Sequence, residues 1–351
     1  MTTLLRRTLM IAAGAGTASL AASALTPPAL AHGRTRVRFT LDWKYQGSHA
    51  LLMLAFTRGF FAEEGIDIIW DQGEGSAATI TRIMGGAYDA GFGDINAIVQ
   101  NAAQRPGEAP VMVYMLYNQP PFALMTKADS PIRTPKDIEG RKLGAAPGTP
   151  TFRLLPVLAA RNNIDLAKVE IVNMAPNLQE QFLLRGQVDV TAIFSITAFG
   201  NLLALRQDPA QFRMLHFSQL GIDLYSNGIM VSQRLLREQP QAVGGLVRAI
   251  NRAVLAALAS PDDGIRAIVA TEPLFDAASE RRRLDFTIET LVVSPESHRL
   301  GLGDVDDARL ARSVETLREG FGLTRSPAIG EVFDRRFLPP LEARRLPASL
   351  G

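Results

Sequence analysis

Gly85-Gly86-Ala87-Tyr88-Asp89-Ala90-Gly91-Phe92-Gly93-Asp94-Ile95-Asn96 decides how this chain is read. An amphipathic run from Thr79 to Met84 leads into it and halts at the two glycines. Tyr88 to Phe92 predicts a short buried strand, and Gly93 to Asn96 turns the chain into an apolar helical run through Ala97, Ile98 and Val99. Asp94 and Asn96 then fall where a strand ends and a helix begins.

The same phrase returns one hundred residues later. Phe182 to Arg185 closes a helix at Gly186, Val188 to Phe194 predicts a strand, and Ser195-Ile196-Thr197 is the polar turn into another apolar run. Gly86 pairs with Gly186 and Asp89 with Asp189. So long a period is no solenoid repeat. Two such units point to two lobes, each ending a strand in hydroxyl, amide or carboxylate groups, since ligands of open α/β sheets bind beyond the carboxyl ends of strands. A chance likeness between two βα turns is the alternative.

Outward from these units, Met1 to Ala31 is set apart from the fold. Arg6 and Arg7 precede an Ala, Gly and Leu-rich run, Pro27-Pro28 breaks it, and Ala29-Leu30-Ala31 offers a cleavage site, which together predict an export signal. The paired arginines resemble twin-arginine signals, although Leu5 stands where Ser or Thr is usual, so the export route stays open. Without Arg6 and Arg7 the chain holds 35 basic against 35 acidic residues. That balance offers no basic stripe for nucleic acid. The chain has 0 cysteines, which excludes disulfides, thiolate metal sites, a cysteine nucleophile and a lipid-modified amino-terminal cysteine.

Strands are predicted at Val37 to Leu41, Ile66 to Trp70, Val111 to Tyr117, Phe122 to Lys127 and Val169 to Val172, with a return segment at Tyr225 to Val231. Ser48 is expected to cap the helix that follows, and Thr149-Pro150 fits a cap followed by proline at the first helical position. From Gln239 on the pattern is helical, continuing through Ala308 to Arg318 and Val332 to Leu338. The expected organisation is discontinuous: lobe one from 35–124 plus 225–351, and lobe two from 125–224. Two consecutive domains would leave the C-terminal helices without a sheet to cover.

Catalytic and metal chemistry find little here. The four histidines, 32, 49, 216 and 298, stand in no nucleophile motif, and no pair lies at i, i+4. Gly73-Glu74-Gly75-Ser76-Ala77 breaks the nucleophile-elbow spacing, and Gly91-Phe92-Gly93 lacks the third glycine of a dinucleotide fingerprint. Binding equipment is richer. Helix starts near Ser48, Ser76, Asn96, Thr149 and Thr197 present free N–H groups suited to a carboxylate, sulfonate or phosphate. Trp43, Tyr45, Tyr117, Phe122, Phe152 and Phe199 are nearby planar faces.

Leu41-Asp42-Trp43, Thr57-Arg58-Gly59-Phe60-Phe61-Ala62-Glu63-Glu64-Gly65-Ile66-Asp67-Ile68, the Gly85 to Asp94 run, Pro135 to Gly144, and Val332 to Pro339 together resemble the periplasmic solute-binding proteins of ABC importers. The likeness is to the group that binds nitrate, sulfonates, taurine and thiamine-pyrimidine precursors. It implies an α/β, two-lobed periplasmic-binding-protein fold (type II), each lobe a mixed sheet flanked by helices, hinged near Asn118 to Lys127 and Leu224 to Val231. The implied ligand is a small solute held in the cleft between lobes, with no cofactor and no metal. The implied partners are an ABC permease and its ATPase at the inner membrane, and the protein itself is expected to be a periplasmic monomer.

The Asp42-Trp43 pair is more like the pyrimidine-precursor binders than the sulfonate binders. The same superfamily includes eukaryotic pyrimidine synthases with a cysteine-rich motif, which this chain lacks. Its expected role is therefore binding rather than catalysis. An exported enzyme acting on a small heterocycle, or a sensory binding protein, are the other readings. The expected site has Trp43 and Tyr45 stacking, Asp94 and Asn96 making polar contacts from lobe one, and Thr149, Ser195 and Thr197 from lobe two. Gln46, His49, Ser76, Asn118, Phe122, Thr151 and Asn227 complete the candidate set.

Overall fold

The computed structural model describes residues 33–350. The export signal expected over Met1 to Ala31 lies outside the described residues. Ten strands form: β1 (Thr35–Thr40), β2 (Ile66–Asp71), β3 (Ala90–Asp94), β4 (Val111–Met115), β5 (Phe122–Lys127), β6 (Lys142–Ala145), β7 (Glu170–Asn173), β8 (Val190–Phe194), β9 (Phe212–His216) and β10 (Asn227–Val231). They make two five-stranded mixed sheets, in the orders β2-β1-β3-β10-β4 and β7-β6-β8-β5-β9. In the first, β1 runs parallel to β2 and β3, and β10 runs antiparallel to β3 and β4. In the second, β6 runs parallel to β7 and β8, and β5 runs antiparallel to β8 and β9.

The hundred-residue echo is structural. Helices Ile95–Gln104 and Ser195–Ala204 leave β3 and β8 at the same offset. Asp89 N–H bonds the Arg38 carbonyl at 2.8 Å while its carboxylate accepts the Arg38 N–H at 2.9 Å. Asp189 makes the same reciprocal pair with Lys142, at 2.9 Å both ways. Gly86 and Gly186 supply the left-handed turns before them, with φ 74° and 68°.

The central strands β3 and β10 are buried at every residue, and so is the edge strand β4, whose outer side bridges Phe333 and Gly303. The 20-residue helix Pro240–Ala259 is long and apolar enough to cross a membrane, but 67% of its most apolar window is buried in the protein, where Leu246, Ile250 and Val254 join the core around β1. A second core joins the inner faces of both sheets, from Ile98 and Met112 to Leu143, Val190 and Leu317.

Several expectations shift. The strand placed at Tyr88 to Phe92 forms at Ala90–Asp94, because Asp89 is spent on its reciprocal pair with Arg38. Phe122 to Leu124, assigned to lobe one, lie in β5, whose residues pair with β8 and β9 of the second sheet. Ser48 caps nothing: it sits inside a 3-10 turn, Gly47–His49. Val332 to Leu338 is not continuous helix, since Phe333 is extended and breaks it into two short turns, Ile329–Val332 and Arg335–Phe337.

The chain passes between the sheets twice, over 116–121 and 217–226. The two passages bond each other, with Leu116 and Tyr117 N–H groups both donating to the Asn227 carbonyl and Ser226 N–H to the Tyr117 carbonyl. One guanidinium grips both. Arg309 donates to the carbonyls of Asn118 (2.8 Å) and Leu224 (3.2 Å) and to the Asp223 carboxylate (2.7 Å), and it covers the Tyr225 ring.

Candidate ligand site between the two sheets

Residues at or beyond the carboxyl ends of β1, β2, β6, β7 and β8 line one cleft, which brings sequence-distant loops together. A chamber of about 30 Å³ lies there, and the wider mouth outside it holds about 580 Å³, within the size range of small-molecule sites. Asp42, Trp43, Gln46, Gly75 and Ser76 line it from the first sheet's loops. Thr149, Pro150, Gln179, Ala192, Ile193, Phe194 and Thr197 line it from the second. Among these there is no lysine, arginine or histidine.

The polar groups here are held from behind. Asp42 accepts from Asn227 Nδ2 at 2.7 Å and meets His49 Nε2 at 3.0 Å. Ser76 Oγ accepts the Asp94 N–H at 3.1 Å, and Thr149 Oγ1 donates to the Ala146 carbonyl at 2.8 Å. Gln46 Oε1 accepts from Arg283 at 2.8 Å and from Thr197 Oγ1 at 3.4 Å, a contact that spans the cleft. Gln179 Nε2 donates to the Ala192 carbonyl at 2.8 Å. Trp43 is half-buried and lines both this chamber and the wider mouth outside it.

A small inner recess of about 10 Å³ continues past Ser76, lined by Asp94, Asn96, Gln100 and Arg153 among others. Burial pushes the Asp94 carboxyl up to about 7, against the opposing pull of Asn96, which donates to it at 2.7 Å, and of Arg153. Asn96 Nδ2 also reaches the Tyr225 carbonyl at 2.7 Å, leaving its Oδ1 buried and unpartnered. Arg153 bonds Gln100 from the opposite lobe, and burial works against its charge.

At the mouth stand Trp43, Lys44, Tyr45, Asn177, Asn201 and Arg283. The Tyr45 hydroxyl accepts from Trp70 Nε1 at 2.9 Å. Arg283, 4% exposed, also donates to Asn201 Oδ1 at 3.1 Å and pairs with Glu280 at 3.4 Å. Behind it Glu180, 2% exposed, has its carboxyl pushed up to about 7 by burial. Phe199 stacks face to face on Phe286, centroids 4.4 Å apart, closing this side of the cleft.

Eight of the fourteen candidates line these spaces: Trp43, Tyr45, Gln46, Ser76, Asp94, Asn96, Thr149 and Thr197. The other six do not. His49 is 1% exposed, tied to Asp42 and set edge-on to Phe92. Asn227 supports Asp42 from beneath, and Asn118 donates to the Val292 carbonyl at the passage between sheets. Phe122 packs between Phe194 and Phe217. Thr151 is fully buried, and Ser195 is 2% exposed with its N–H on the Pro121 carbonyl. Gln179, Arg153 and Arg283 were missed. Gln179 lies in an ordinary amphipathic stretch and Arg283 in an Arg281-Arg282-Arg283 run that reads as a solvated face.

The chain is 24% identical over 291 residues, 82% of this chain and 81% of the relative, to the riboflavin-binding protein RibY of Chloroflexus aurantiacus. It is 23% identical, across 87% of this chain and 93% of the relative, to a 4-amino-5-hydroxymethyl-2-methylpyrimidine phosphate synthase of Legionella pneumophila. Its fold superposes on the periplasmic aliphatic sulphonate-binding protein SsuA of Escherichia coli with TM-score 0.64 and 16% identity, over 84% of this chain and 91% of that one. The two mixed sheets flanked by helices are thus the α/β fold of periplasmic binding proteins. The sequence model of the NMT1/THI5-like family matches residues 46–264, and the chain belongs to that family.

Proposed function

We propose that this chain is the solute-binding component of an ABC importer, working in the periplasm and handing a small planar heterocycle to a membrane permease. The observation that carries the reading is the lining of the chamber behind the mouth: the aromatic residues Trp43 and Phe194, amides and hydroxyls, with no cationic side chain. A sulfonate or other oxoanion would find amides, hydroxyls and helix-end N–H groups there but no cationic side chain, and it would meet the Asp42 carboxylate, 6% exposed. A neutral ring would find Trp43 to stack on and hydrogen-bonding groups for its edge. Binding closes the lobes about the two passages between sheets, and the permease reads the closed form.

The likeness to a pyrimidine phosphate synthase supports a second reading, an enzyme acting on a heterocycle. Against it stand the absence of cysteine from the chain and of any histidine or lysine from the chamber lining.

The test is a thermal-shift screen of the purified protein against pyrimidine precursors, riboflavin, alkyl and aryl sulfonates, aromatic carboxylates, nitrate and bicarbonate. Ligand at about 100 times its Kd stabilises the native state by roughly 2.7 kcal/mol. A heterocycle recovered chemically unchanged supports the binding reading. A heterocycle recovered as another compound overturns it in favour of the enzyme, and a response to anions alone overturns the ligand class.

A further inference from the structure

Two amide side chains in the main chamber are locked in opposite senses by partners that allow no flip. Arg283 can only donate, so the oxygen of Gln46 must face it, as it does at 2.8 Å. The Ala192 carbonyl can only accept, so the nitrogen of Gln179 must face that, also at 2.8 Å. Among the described residues, Gln46 Nε2 and Gln179 Oε1 have no hydrogen-bond partner in the protein, and both residues line the chamber. Gln46 is 4% and Gln179 2% exposed, so whatever enters must satisfy these atoms or leave them unpaired at a cost.

Arg283 is itself fixed. Its guanidinium lies over Gly200 of the helix Ser195–Ala204, where a Cβ would overlap it, and bonds Asn201 on that helix. Glu280, one turn earlier on its own helix, holds it from the other side and accepts the Gly47 N–H at 2.5 Å beside Gln46. We infer that Gln46 and Gln179 form a donor–acceptor reading pair for the solute, and that Arg283, seated on Gly200, is the positioning residue that fixes the sense of Gln46. The solute read by this pair carries one acceptor for Gln46 and one donor for Gln179. The inference rests on the solute-binding reading above and deepens it.

The test uses three ring probes and the full-length protein: 4-aminopyrimidine with donor and acceptor, 4-methylpyrimidine with acceptors only, and aniline with a donor only. Dissociation constants come from ligand-observed NMR titration. In the wild type 4-aminopyrimidine binds about tenfold tighter than either of the others, the cost of one unmade hydrogen bond. In Arg283→Met the Gln46 amide is free to turn, so the preference over aniline falls to about twofold or less while the preference over 4-methylpyrimidine, read by Gln179, persists.

Gly200→Ala, which favours the helix it sits in, denies Arg283 its seat and gives the same split. Arg283→Lys keeps a donor on Gln46 and restores the preference over aniline. If both preferences fall together, Arg283 is merely structural and the inference is overturned. Unchanged preferences in Arg283→Met and Gly200→Ala overturn it as well. If the wild type binds none of the three, the pair does not read such a ring and the inference falls, while the solute-binding reading is decided separately by the broader screen.

Discussion

Asn227, the first residue of β10, donates from Nδ2 to Asp42 Oδ2 at 2.7 Å across 185 residues of sequence. The bond ties the strand that returns from the second sheet to the loop that follows β1, and His49 holds the other carboxylate oxygen at 3.0 Å. Asp42 is 6%, His49 1% and Asn227 0% exposed, so none can turn to water for a substitute. The Asp42 carbonyl further accepts the Gly75 N–H at 2.7 Å, which places the next loop of the chamber wall.

Asp42→Ala strands two buried donors, and urea unfolding should show a loss of about 3 kcal/mol. Asp42→Asn, which can still accept from Asn227, should lose less. Equal losses in the two would mean that the Asn227 bond is not what fixes this loop.

Asp94 and Glu180 make stability depend on pH. Burial raises both carboxyls to about 7 in the folded protein, whereas an unfolded aspartate or glutamate titrates near 4. Between those values the native state holds protons that the unfolded state has released. Stability is therefore fully supported below about pH 4 as far as these two groups go, and is lost as the pH rises toward 7. Asp94→Asn and Glu180→Gln should each flatten the decline in urea midpoint between pH 5 and 7.5. A midpoint that rises through that window in the wild type would contradict the sign.

Trp43 lines both the main chamber and the mouth. Trp43→Ala should weaken 4-aminopyrimidine binding by about 1 kcal/mol in calorimetry, with the ligand-free melting temperature nearly unchanged because the residue is only half-buried. Unchanged affinity would remove it from the site.

Arg309 was invisible in sequence, one of three arginines on the helix Asp307–Phe321. In the fold it is 7% exposed and bonds both passages between the sheets. Arg309→Met leaves two buried carbonyls and the largely buried Glu296 carboxylate without it and should cost about 3 kcal/mol in urea unfolding, with Arg309→Lys intermediate. A change within 1 kcal/mol would mean the passages hold each other without it.

What the sequence revealed and what it hid follow from range. The two repeated units were legible because a strand end, a left-handed glycine and the helix after it are written within a dozen residues, as at Gly86 to Asn96 and Gly186 to Ser195. The loop after β1 was legible for the same reason. The pairing of Gln46 with Arg283 spans 237 residues, and Gln179 owes its orientation to a carbonyl on β8. No local pattern distinguishes Arg283 from its neighbours: burial does, and burial is decided by the approach of the second lobe's helix at Gly200. The misplaced end of lobe one has a like cause, since Phe122 to Leu124 read as a strand whichever sheet they join, and only their pairing with β8 and β9 decides it.

Gly75 stands at one close approach between the two lobes. It sits at φ 110°, and a Cβ there would stand 2.9 Å from the Gly148 carbonyl oxygen across the cleft, the same oxygen that accepts the Ala77 N–H at 3.4 Å. Gly75→Ala therefore brings two separable effects, backbone strain of at least about 1 kcal/mol and a steric stop between the lobes. Gly59→Ala is the control, because Gly59 also has a positive φ, 75°, but nothing within 4 Å of a Cβ. With no native cysteine, spin labels can be placed at Asp67→Cys on β2 and Glu170→Cys on β7, both exposed, to report lobe separation. With saturating 4-aminopyrimidine, the short-distance population should form in the labelled protein and in its Gly59→Ala version, and be depleted in its Gly75→Ala version. Equal populations in all three would show that the Gly75–Gly148 approach does not limit closure, leaving strain as the only role of that glycine.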